Sequence, residues 1–96
     1  MPPLEEYLEQ ADKLAQDVVN AWASNKAAGK VPSPEFDALF EKACSYRTAR
    51  EIADNRREFN VLNEQDAANE KATRQAFAEP CKAFYEKHRG QVLTQQ

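Results

Sequence analysis

The sequence predicts an all-α protein, an antiparallel bundle of three helices with the third kinked or broken at Pro80. Three observations carry this. Apolar residues recur at three- and four-residue spacing along most of the 96-residue chain, the period of one helix face. Only two glycines are present, Gly29 and Gly90, and each stands one step past a long amphipathic stretch. Glycine takes the left-handed conformation that ends a helix at no steric cost. The connections between the stretches are short, and polar or marked by proline. A chain of this length is a single domain.

The first helix spans about 4–28. Leu4, Leu8, Ala11, Ala15, Val18 and Trp22 form a broad stripe flanked by Tyr7, Leu14 and Ala21, with Glu5, Glu6, Glu9 and Asp12 mostly off it. Pro2 and Pro3 suit its entry, and acids suit its first turn, where the helix dipole favours negative charge. Lys26 in the last turn and Gly29 beyond it mark the end. Ser33-Pro34-Glu35 then reads as a helix start: a hydroxyl cap, proline in the first position, then an acid.

The second helix spans about 34–59. Phe36, Leu39, Phe40, Ala43 and Cys44 share one face, whereas Ala49, Ile52, Ala53 and Phe59 cluster on another, so its two ends contact different neighbours or one of them meets a second subunit. Asn60-Val61-Leu62-Asn63 holds no glycine or proline, which leaves one long helix from Pro34 to Glu79 as the alternative. Asn63 as a cap and Asp66 as a capping acid favour a turn. The third helix then covers about 64–89, with Ala68, Ala72 and Ala76 as a small-residue seam leading to Phe77, Cys81, Phe84 and His88. Pro80 removes one backbone bond and clashes with the preceding turn. Lys87-His88-Arg89-Gly90 stops the helix, and Val92 and Leu93 are free to fold back.

Hydrophobic residues make up 42% of the chain, but many are alanine, so the core is thin and a partner or second copy would help complete it. The large anchors are Leu4, Leu8, Leu14, Trp22, Phe36, Leu39, Phe40, Ile52, Phe59, Phe77 and Phe84. The net charge of −3 is unevenly spread: residues 1–41 carry eight acids and three bases, and residues 42–61 five bases and three acids. This slightly acidic total argues against a general nucleic-acid binder. No apolar run approaches a membrane span, and no basic region followed by a hydrophobic stretch opens the chain. The expected location is therefore cytoplasmic, although a mature secreted form carrying an added Met would read the same way.

Cys44 and Cys81 stand at nearly the same height if the second and third helices are antiparallel. A disulfide and two buried free thiols are both compatible with that placement, and the lack of a leader favours the thiols. Two cysteines and the single His88 fall short of a metal-ligand set, so no metal or cofactor is expected. Cys81 and His88 lie two turns apart, about 10 Å, too far for proton transfer. His88 suits a helix C-terminus beside Lys87 and Arg89. Paired acids such as Glu5-Glu6 and Glu35 with Asp37 sit at helix starts, and no phosphate loop, zinc helix or nucleophile elbow is present. No catalytic residue is expected.

The arginines Arg47, Arg50, Arg56 and Arg57 form the most suggestive polar feature. Interleaved acids place Arg47 near Glu51, Arg50 near Asp54, and Asp54 near Arg57. The plain reading is a solvated helix laced with ion pairs; the functional one is a recognition surface with Tyr46 and Phe59 as aromatic anchors. The fragments Arg57-Glu58, Val61-Leu62 and Val92 to Gln96 are similar to pieces of the all-helical chorismate mutases. That family's pocket needs an arginine on the first helix, where this chain has only Lys13 and Lys26, so the resemblance is set aside.

The expected function is accordingly a non-catalytic protein–protein interaction module, a small inhibitor, immunity-type or adaptor protein. Its contact surface is expected at Tyr46, Arg50, Ile52, Arg56, Arg57 and Phe59. The alternative is a homodimeric regulatory protein contacting nucleic acid through the Arg-rich second helix.

Overall fold

The computed structural model describes residues 3–88. The chain is all-α, with helices α1 (Leu4–Glu9), α2 (Ala11–Ala27), α3 (Pro34–Glu58) and α4 (Glu64–His88) and no strand among the described residues. None of these helices is long and apolar enough to cross a membrane. The expected stop at Gly90, the last residue of the third helix at Arg89, the fold-back of Val92 and Leu93, and the role of Pro2 lie outside the described residues.

Where one first helix was expected there are two, parted at Gln10 (φ −97°, ψ 12°). The deviation is a single residue, for the Gln10 N–H still reaches the Glu6 carbonyl at 3.0 Å and the Leu14 N–H the Gln10 carbonyl at 2.9 Å. No glycine or proline marks the spot. Packing on either side of it differs: α1 sets Tyr7 edge-on against Tyr85 of α4, ring centroids 6.0 Å apart, while α2 stacks Trp22 on Phe40 of α3 at 4.0 Å. Trp22 also donates its indole N–H to Asp37 at 2.8 Å, tying the end of α2 to the start of α3.

Local signals set the ends of the longer helices. Ser33 Oγ accepts from the Phe36 N–H at 3.1 Å, with Pro34 at the first helical position. After α2, Gly29 sits at φ 77°, with Lys30 N–H bonding the Asn25 carbonyl and Gly29 N–H the Lys26 carbonyl. These are the paired bonds of a Schellman ending. The same two bonds recur after α3, from Val61 N–H to Arg56 and from Asn60 N–H to Arg57, and here Asn60 takes the left-handed conformation at φ 58°. Asn63 Oδ1 then caps α4 by accepting from the Asp66 N–H at 2.8 Å, so the long-helix alternative does not form.

The helix is not broken at Pro80: α4 runs through it from Glu64 to His88. The proline removes the N–H that would bond the Ala76 carbonyl. Ala76 is exposed, so water reaches that region, while Phe77, Ala78, Cys81 and Phe84 on the inner face hold both halves against the core.

The core gathers Tyr7, Ala11, Leu14, Ala15, Val18 and Ala21 with Phe36, Leu39, Ala43 and Tyr46, and with Phe77, Ala78, Cys81 and Phe84. Early α3 residues meet late α4 residues, Phe36 stacking on Phe84 at 5.5 Å, and later α3 residues meet earlier ones, Tyr46 on Phe77 at 6.3 Å. The expected inner faces need three corrections. Ile52 and Phe59 are exposed, because α3 turns Ala49 and Ala53 inward instead. Ala68, Ala72 and Ala76 line the outer side of α4, whose inner line is Glu70, Phe77, Cys81 and Phe84. Leu4, Leu8, Trp22 and Phe40 are only partly buried around the core, which Tyr7 and Tyr46 enter.

The left-handed Asn60 yields a direct test. A β-branched side chain there meets the steric penalty of that conformation, so Asn60→Val should lower stability by about 1–2 kcal/mol. Asn60→Gly, which keeps the conformation accessible, should not. Urea denaturation of the three proteins measures both.

Candidate functional site

The C-terminal half of α3 holds the polar residues singled out from sequence, and the structure divides them in two. On its inner side lies a closed charge network. Tyr46, only 1% exposed, donates its hydroxyl to Asp12 of α2 at 2.5 Å and accepts from Arg74 Nε of α4 at 3.1 Å. Burial, and then the bond to Asp12, push the phenol above its ordinary pKa, so it stays neutral through the physiological range. Tyr46 is therefore a pillar of the interior and not the surface anchor expected from its place among the arginines.

Arg50 faces three carboxylates, Asp54 at 3.0 Å, Asp12 at 3.3 Å and Glu70 at 3.6 Å. Arg57 pairs with Glu70 at 2.5 Å and Asp54 at 2.7 Å. The bond to Glu70 is the main reason its guanidinium is held above the usual arginine range. Arg50, Arg57 and Arg74 thus share one cluster with Asp12, Asp54 and Glu70, three positive and three negative charges, with Arg56 outside it on Asp66 at 2.5 Å. Two of the three expected spacings on α3 form, Arg50 with Asp54 and Asp54 with Arg57. The third does not: Arg47 and Glu51 have no ion pair among the described residues, and both line an open groove of about 520 Å³ between α2 and α3. Asp12, Gln16, Cys44 and Thr48 also line it.

Sequence reasoning overlooked Glu70, Asp12 and Arg74, the partners brought in by neighbouring helices. Glu70 falls in line with Phe77, Cys81 and Phe84 on the inner face of α4, a buried-acid signal readable only once that face is known.

Cys44 and Cys81 are free thiols. Cys44 is half-buried and turned to the α2 groove, whereas Cys81 is fully enclosed in the core, where burial raises its thiol to about 12. His88 sits at the far end of the bundle, with its Nε2 3.0 Å from Glu35 and its ring against Phe84. The bond from His88, and then that from Lys87, hold the Glu35 carboxyl below the usual range. Among the described residues no cluster of His, Cys, Asp and Glu could hold a metal ion.

On the outer side of the same half-helix two large apolar side chains stand open among polar ones. Ile52 is 41% exposed, Phe59 66% and Val61 61%, three of the four large exposed hydrophobics among the described residues. Thr48, Glu51, Ile52, Asn55 and Arg56 line a shallow depression of about 320 Å³ on this face. No protein-family model matches the chain, and neither a characterised protein nor a solved structure shows significant similarity to it. The site is therefore understood from its own geometry.

Three outcomes follow from this geometry. Glu70→Gln removes the charge that Arg57 and Arg50 share, and should cost about 1–3 kcal/mol in urea unfolding. Asp54→Asn, at an exposed carboxylate, should cost under about 1 kcal/mol. A thiol reagent added to the native protein should modify Cys44 and spare Cys81, with both reacting after denaturation; mass spectrometry of the labelled peptides reads this directly.

Proposed function

We propose that the protein is an interaction module, acting as a small inhibitor, immunity-type or adaptor protein by occupying another protein's surface. The observation that carries this is the exposed group Ile52, Phe59 and Val61 beside an open depression. Large apolar side chains cost free energy when left in water, and grouped ones characteristically mark contact surfaces. The contact surface accordingly centres on Ile52 and Phe59, with Arg56 at its edge. Tyr46 is removed from it by burial, and Arg50 and Arg57 act in holding the helices together.

The alternative, a dimeric nucleic-acid-binding regulator, has less support. Phosphate binding draws on cations free to exchange partners, yet Arg50, Arg56 and Arg57 each already face a carboxylate at 3.0 Å or less.

The test is affinity capture from the source cells at physiological salt, with the wild-type chain and the double variant Ile52→Ala/Phe59→Ala as baits. A stoichiometric partner held by the wild type should be lost from the variant while circular dichroism stays unchanged. Equal recovery on both baits would place the contact elsewhere.

A further inference from the structure

The apolar face of α3 has a definite pattern and a definite electrostatic border. Thr48, Ile52, Asn55 and Phe59 are spaced four, three and four, so they form one stripe of about three helical turns. This is the geometry into which the side chains of a second helix interdigitate. All four are exposed, and α3 buries the opposite side through Tyr46, Ala49 and Ala53.

The charges around the stripe do not cancel. Glu51 and Glu58 follow one edge of it, both exposed and both without an ion pair among the described residues. Glu64, three residues beyond Val61 in the first turn of α4, is exposed and likewise makes no ion pair with a described residue. On the other edge Arg56 is neutralised by Asp66 at 2.5 Å. Arg47, one turn before Glu51, lies in the groove that Asp12 and Asp54 also line. The stripe from Ile52 to Phe59 is thus bordered by net negative charge, although the sequence from Arg47 to Arg57 holds four arginines.

Resting on the interaction-module reading above, we infer that this face receives an amphipathic helix of another protein whose apolar stripe is bordered by lysine or arginine. Leucine-sized side chains of the incoming helix pack around Ile52 and Phe59, over the depression lined by Thr48, Asn55 and Arg56. Its basic residues meet Glu51 and Glu58, where complementary charge sets orientation and speeds encounter. A second copy of this chain fits the border less well, since it sets unpaired glutamates against unpaired glutamates.

Two labelled helical peptides test this with the full chain: one with a leucine stripe edged by lysines, the other identical but edged by glutamates. In fluorescence anisotropy the lysine peptide should bind at least tenfold more tightly, and Phe59→Ala should weaken it tenfold or more. The double variant Glu51→Lys/Glu58→Lys, both exposed positions, should invert the preference. Equal binding of the two peptides, or binding of neither, would overturn the basic-helix inference. The interaction-module reading fails separately, if the wild-type chain captures no stoichiometric partner; a partner retained by Ile52→Ala/Phe59→Ala places the contact elsewhere. Sedimentation of the chain alone covers the remaining occupant: self-association abolished by Phe59→Ala would overturn the inference in favour of a second copy.

Discussion

Tyr46 joins three helices at one point, and the arrangement of the charged groups around it depends on it. Its ring stacks on Phe77 of α4 while its hydroxyl sits between Asp12 of α2 and Arg74 of α4. Placing a phenol in a core this rich in alanine supplies bulk that alanine lacks, but it also brings a polar atom inside, and such an atom must be bonded. The two bonds it makes fix Asp12 and Arg74 over the α3 surface. Asp12 in turn draws Arg50 toward α2, and Glu70 draws both Arg50 and Arg57 toward α4. No buried side-chain nitrogen or oxygen among the described residues is left without a partner.

This network divides labour along α3. Arg50 and Arg57 turn toward carboxylates from three helices, so their charge serves cohesion. The outer face leaves Ile52 and Phe59 exposed beside Glu51 and Glu58, which make no ion pair among the described residues. An Arg-rich segment thus presents an apolar surface with an acidic border. Composition alone points the other way, because it counts charges without their partners.

Most of the helix limits that rest on local bonds were legible. Ser33-Pro34 as a start, Gly29 as a stop and Asn63 as a cap all appear as expected, each being a contact within a few residues. Asn60 as a left-handed terminator went unread, since asparagine is less diagnostic than glycine at that position. The parting at Gln10 carried no signal, for it follows from α1 docking on Tyr85 while α2 docks on α3. Pro80 signalled a kink or a break, and the helix continues through it without a break. Within the candidate site, Ile52, Arg56, Arg57 and Phe59 remain exposed, Arg50 is half-buried and Tyr46 is buried.

By itself, then, the sequence determined an all-α chain, most of its helix ends and two of the three ion pairs expected one turn apart on α3. Each depends on periodicity or on bonds between near neighbours, and both are written in residue order. Only the tertiary structure decided which side of α3 faces inward and which acids its arginines meet. Tyr46 and Asp12 are 34 residues apart, and Arg57 and Glu70 thirteen, so no spacing rule connects them. With so many alanines on several faces, burial could have been satisfied by more than one rotation of the helix. The large residues Tyr46, Phe77 and Phe36, packed against one another's helices, selected the one that leaves Phe59 in water.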